Sequence, residues 1–259
     1  MSGVATDRDV VRAPLRGRRL LRAVLAQAAL ELRLLVRAGE SLVITFGIPL
    51  GILGFFSVVD VLPTASMPAV DFLVPGVLAI SVAATGLVAT GIQTAFERRY
   101  GVLKRLGATP LPTAGFLLAK SLAVAGLLTV QTVLVVGLAL ALGWSPASWW
   151  ILPGGLLLGA IACTSLGLLM AGTLRAEATL AATNALFLVL LMISGVAFEA
   201  ATLPDGLAAV GQLLPLGALG TLLRDGLAGH GFAAGPAVTL TVWSVLAIAA
   251  ATRWFRWEP

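Results

Sequence analysis

The sequence predicts an all-α integral membrane protein with six transmembrane helices, and three observations carry that prediction. Of the 259 residues, 59% are hydrophobic and only 11% are charged, with a mean hydropathy of +1.01, far from the balance of a soluble domain. Apolar runs of about twenty residues recur along the chain, long enough at about 1.5 Å per residue to cross a hydrocarbon layer of about 30 Å. The basic residues crowd at the ends of those runs. The net charge of +5 and the pI near 10.6 therefore describe juxtamembrane charge facing lipid headgroups, and nucleic acid is not the expected partner.

Residues 1–17 mix Arg, Asp, Gly and Pro without apolar periodicity and read as a mobile cytoplasmic tail. Residues 18–259 read as one transmembrane domain. From Arg18 to Arg37 the pattern is helical and amphipathic: at about 100° per residue, Arg18, Arg19, Arg22, Arg33 and Arg37 share one arc. Such a helix can lie in the interface with its arginines among headgroups, or serve simply as a basic flank that fixes orientation. Gln27 and Glu31 fall on its other side, which predicts that this side meets protein. No short apolar run in this region ends in a small-residue cleavage site, so the first span is expected to remain as a signal anchor.

The spans follow in order at about 41–59, 72–96, 113–143, 151–174, 178–198 and 233–252. The first contains Pro49, a predicted kink, and the pair Gly47 and Gly51, which suits close helix approach. Asp60 to Asp71 reads as an outer loop. The second span carries Thr85, Thr90 and Gln93, and the fifth carries Asn184. These weakly polar groups fit helix packing or the lining of a path, and Asn184 can bond to a neighbouring helix. Lys120, near the start of the third span, is expected to snorkel to the headgroups, with an ion pair as the alternative. Trp144, Trp149 and Trp150 around Pro146 mark an interfacial belt, and Gly155 with Gly159 makes a second small-residue pair. Residues 199–232 are too broken by Gly and Pro for one crossing helix and predict two short re-entrant helices divided near Pro215. Counted over this topology, sixteen of the 17 basic residues lie on one side with both termini, and only Arg224 on the other. The positive-inside rule makes that side the cytoplasm.

The densest charge lies between spans two and three, in E-R-R-Y-G-V-L-K-R-L-G-A-T-P-L-P from Glu97 to Pro112. Here Tyr100, Val102, Leu103 and Leu106 interleave with Glu97, Arg98, Arg99, Lys104 and Arg105, giving a short helix an apolar side and a charged side. Gly107 is expected to end it, with Pro110 and Pro112 beyond. No segment of the chain is expected to cover that apolar side, which points to docking of a cytoplasmic partner. An interfacial helix lying on lipid is the alternative.

Four local patterns in this order resemble the membrane subunits of bacterial type-2 ABC exporters of the daunorubicin-resistance permease kind. They are the amphipathic helix from Arg18, F-L-V-P-G at Phe72 to Gly76, the Glu97 to Pro112 stretch, and L-L-P-L-G-A-L-G-T-L-L-R-D-G-L at Leu213 to Leu227. The last departs from the family in lacking its frequent Asn-Pro start. The resemblance implies two permease chains, here a homodimer, working with two ATPase chains that bind ATP and Mg. It makes the Glu97 to Thr109 segment a coupling helix seated in the ATPase, with Tyr100, Leu103 and Leu106 as the buried anchor, Gly101, Thr109 and Pro110 beside them, and Glu97, Arg98, Arg99, Lys104 and Arg105 setting orientation at the rim of the contact. The sequence itself contains no G-x-x-x-x-G-K-[ST] loop, so nucleotide is not expected in this chain. One cysteine, Cys163, and one histidine, His230, offer no disulfide, no His/Cys metal site and no nucleophile motif. The expected function is export of a hydrophobic or amphipathic compound, a drug, antibiotic or lipid-like molecule, from the bacterial cytoplasmic membrane. Export of a lipid-linked glycan, ion-driven transport and intramembrane catalysis are the alternatives in descending order, the last two lacking repeated halves, intramembrane acids or a catalytic constellation.

Overall fold

Hydropathy alone dictates helices here, because within hydrocarbon every backbone N–H and C=O needs a partner inside its own segment. The computed structural model describes residues 17–37, 39–59, 68–197 and 203–257, and these residues hold helices and no strand. The elements are α1 (Arg18–Arg37), α2 (Gly39–Val58), α3 (Ala69–Ala83), a π-helical segment (Ala84–Ala89), α4 (Thr90–Arg99), α5 (Val102–Gly107), α6 (Thr113–Ala141), α7 (Ile151–Thr173), α8 (Ala176–Ile193), α9 (Asp205–Leu213), α10 (Pro215–Leu227) and α11 (Ala234–Trp254). The tail at 1–16 and most of the expected loop from Asp60 lie outside the described residues.

Among the described residues, five spans are long and apolar enough to cross a membrane: Ala69–Arg99, Thr113–Ala141, Ile151–Thr173, Ala176–Ile193 and Ala234–Trp254. In α2 the apolar stretch is shorter, Thr45–Val58. The helices α9 and α10 meet at 88°, the bend of a broken span or of a re-entrant pair. Pro215 causes the break: Leu214 before it is extended, at φ −90° and ψ 153°, and proline then opens the next helix at its first turn. The orphaned carbonyl of Leu213 is taken up by the indole Nε1 of Trp243 at 2.9 Å.

The span Ala69–Arg99 sits centrally and is the most buried. Its middle turns are packed on α7 through glycine. At Gly167 an added methyl would stand 2.6 Å from the Leu87 carbonyl oxygen and 2.8 Å from that of Gly86, so only a glycine permits this approach. A Gly167→Ala chain should therefore lose about 1–3 kcal/mol, read as a lower apparent melting temperature of the purified protein. Gly155 and Gly159 serve the same end against Leu223 and Leu219 of α10, whereas Gly47 and Gly51 face none of the described residues within 4 Å. At the end of the bundle remote from α5, Trp144 stacks edge-on with Trp149 at 5.6 Å and Trp150 lies 5.9 Å from Phe232. Cys163 is a buried packing residue of α7.

Candidate functional site

The expected single helix from Glu97 to Thr109 is two helices in the structure. Gly101 adopts φ +74°, a left-handed conformation that glycine takes without penalty, and the chain turns there between α4 and α5. The hydroxyl of Thr109 and its backbone N–H both donate to the Leu106 carbonyl, at 2.6 and 2.9 Å, closing the far end of α5.

The apolar side of α5 is covered from within the chain, contrary to expectation. Leu103 is fully buried among Phe116, Leu117, Leu168 and Ala251. Leu106 packs on the same cluster together with Phe255 and Trp257 of the C-terminal segment. The Trp257 ring lies against Gly107, 3.3 Å from where a methyl would stand, and 5.3 Å from the Phe116 ring. Trp257 is thus a packing residue, while Trp254 stays exposed. Facing outward from this end are Arg99, Tyr100 at 73% exposure, Val102, Lys104, Arg105, Thr109 and Pro110.

Glu97 and Arg98, expected at a docking rim, turn inward. Lys120 does not snorkel: 3% exposed, its Nζ stands 2.7 Å from Glu31 Oε2 and 2.8 and 3.0 Å from the two oxygens of Glu97. Gln27 donates to Glu31 and Gln93 to Glu97, each at 2.8 Å. One ammonium and two carboxylates, flanked by two amides, thereby join α1, α4 and α6. The side of α1 bearing Gln27 and Glu31 meets protein as its sequence predicts, with Val24 and Ala28 packed around Ala119. Arg98 Nη2 donates to the Leu174 carbonyl at the end of α7, where the helix dipole favours a cation. Arg99 bridges to Glu177 in the first turn of α8; both are exposed, so this pair is worth about 0–1 kcal/mol. The last turn of α4, which continues into α5, is therefore tied to α1, α6, α7 and α8.

An open-sided cavity of about 810 Å³ lies between α2, α3, the π segment, α6 and α8. Its lining is apolar, with Ile48, Ile52, Phe56, Phe72 and Phe187 among its walls, and none of the described residues that line it is ionisable. Thr85 and Asn184, two of the four residues expected along a path, line it; Thr90 and Gln93 do not. Thr90 instead donates through Oγ1 to the Thr85 carbonyl at 2.8 Å, supporting the π segment, a feature common at functional sites. Asn184 does not bond to a neighbouring helix as its sequence position allowed: its Nδ2 donates to Leu180 of its own helix at 2.7 Å.

Sequence reasoning passed over Gln131, which also lines the cavity. Its Nε2 donates to the Thr45 carbonyl of α2 at 2.8 Å. That carbonyl is vacant because its helical partner would be the N–H of residue 49, and Pro49 has none. The available signal was an amide in an otherwise apolar run facing a proline-bearing helix.

A model of the family described as ABC-2 family transporter protein matches residues 56–253, from the end of α2 to the last turn of α11. No curated protein matches the chain. Because that match spans well over half of the sequence and includes the α4 to α5 turn, the central span and the cavity's principal walls, the chain belongs to the ABC-2 transporter family as a permease component of an ABC transporter.

Proposed function

We propose that this permease exports a neutral hydrophobic or amphipathic compound, drug-like, antibiotic or lipid-like, through the cavity beside the π segment. The observation that carries the reading is the cavity itself: about 810 Å³ at membrane depth, apolar, with Thr45, Ser81, Thr85, Gln131 and Asn184 as its uncharged polar groups. Such a lining holds an apolar body and orients it with few hydrogen bonds, and it offers a strongly anionic cargo no counter-charge. In this reading two copies of the chain assemble as a homodimer with two ATPase subunits that bind ATP and Mg. Both termini are cytoplasmic, and the protein lies in a bacterial cytoplasmic membrane. The ATPase docks against the outward side of the α4 to α5 turn, at Tyr100, Val102, Arg105, Thr109 and Pro110. Glu97, Arg98 and Leu103 transmit its movement from behind.

The test is ATP hydrolysis by the reconstituted permease and ATPase pair across neutral hydrophobic compounds, lipids and hydrophilic anions. Stimulation is expected from the first two classes. It should be lost in an Ala84→Phe, Ala89→Phe chain, whose new rings fill the cavity, with basal hydrolysis retained. Stimulation by hydrophilic anions alone, or full stimulation in the filled variant, would overturn the reading.

A further inference from the structure

Gln131, a residue of the cavity wall, carries a buried side-chain acceptor that the chain's own described residues leave unsatisfied. Gln131 is 2% exposed, and its Oε1 is withdrawn from solvent with no partner among the described residues. Its orientation is fixed by chemistry: the Thr45 carbonyl can only accept, so the amide nitrogen must face it and the oxygen must point elsewhere. The other polar side chains there are less suited to select cargo. Ser81 donates its hydroxyl hydrogen to the Val77 carbonyl at 2.7 Å, and the exposed Asn184 donates its amide nitrogen to Leu180. A buried amide oxygen without a donor carries its full desolvation cost, which an incoming donor removes.

We propose that Gln131 is a cargo-recognition residue whose Oε1 accepts a hydrogen bond from a hydroxyl or amide N–H on a neutral amphiphile bound in the cavity. This deepens the proposed function and rests on its assignment of the cavity to cargo. Sites built around a specific hydrogen bond reject analogues that lack it, because the protein partner is then left unpaired. The same amide also satisfies the carbonyl freed by Pro49, so recognition of the cargo's donor takes place where α2 is kinked.

The test uses the full chain in lipid nanodiscs and a probe pair, 1-hydroxypyrene and 1-methoxypyrene, which differ by the donor. Binding is followed by energy transfer from the protein's tryptophans, with partition into empty discs subtracted. Because Gln131→Leu alone strands the Thr45 carbonyl, the decisive variant is Pro49→Ala with Gln131→Leu, which restores a helical N–H to that carbonyl as it removes the amide. Wild type and Pro49→Ala are expected to bind the hydroxyl probe about tenfold more tightly than its methyl ether. The double variant should bind both equally, at the ether's affinity. Equal binding of the two probes by wild type, or undiminished preference in the double variant, would overturn the role of Gln131 while leaving the cavity reading intact. Failure of wild type to bind either probe would overturn the cavity reading, and the role of Gln131 with it.

Discussion

Replacing Lys120 by Met is expected to cost about 3–5 kcal/mol, the usual penalty for removing one member of a buried ion pair. Most of that chain should be lost to aggregation on extraction. The reason is electrostatic. Glu31 and Glu97 both lie within 3 Å of the Lys120 ammonium, and without it two carboxylates face each other in a site with little access to water. Gln27 and Gln93 can each donate one bond to them, which does not neutralise charge. The same reasoning predicts recovery. A chain carrying Glu31→Gln, Glu97→Gln and Lys120→Met removes all three charges together, and neutral replacement of a whole buried cluster is often tolerated. Its yield of monodisperse protein and its melting temperature should return close to wild type. Its ATPase stimulation should remain reduced, because α1, α4 and α6 are then joined by packing and weaker bonds alone. Wild-type stability in the single variant would show that Lys120 is solvated after all.

The helices were legible in the sequence because each is a property of a contiguous window. The run of α1 from Arg18 to Arg37 and the division of the outer segment at Pro215 need no knowledge of neighbours. Hydropathy places the spans for the same reason. What failed were statements about pairing. Lys120 is 23 residues from Glu97 and pairs equally with Glu31 on a separate helix; periodicity shows that each helix has a polar stripe but not which stripes meet. The cover over Leu103 comes from α6, α7 and residues at the C-terminus, so counting nearby apolar sequence understated it. Gly101 was visible as a residue, yet its role as a break emerged only with its backbone angle. The cavity was half legible: small polar positions marked Thr85 and Asn184, while Thr90 and Gln93, of the same residue class, turned to local bonds.

Two variants, a single and a double one, altered within four consecutive residues should fail in opposite ways, and the contrast locates the docking surface. Leu103→Asp puts a carboxylate into a fully buried site among Phe116, Leu117 and Leu168. Lys120, the cation 5.7 Å from the Phe116 ring, is already held by Glu31 and Glu97, so the substitution should destabilise the chain by several kcal/mol, roughly the scale of an unpaired buried charge, and yield little folded protein with or without an ATPase present. Tyr100→Asp with Val102→Asp changes two outward side chains, and the fold should tolerate it. If this side seats the ATPase, Tyr100 is the aromatic anchor, and its loss should cost about 2 kcal/mol or more, close to a thirtyfold weaker association. Co-purification and stimulated hydrolysis should both collapse while the melting temperature holds. Arg105→Glu, at the edge of the same surface, should mainly slow association and steepen its dependence on salt. Undiminished co-purification of the Tyr100, Val102 variant would move the docking site away from the turn. Normal folding of Leu103→Asp would instead mean that α5 can leave its bed of Phe116 and Trp257 altogether, making the helix a mobile lever in place of a rigid extension of the central span.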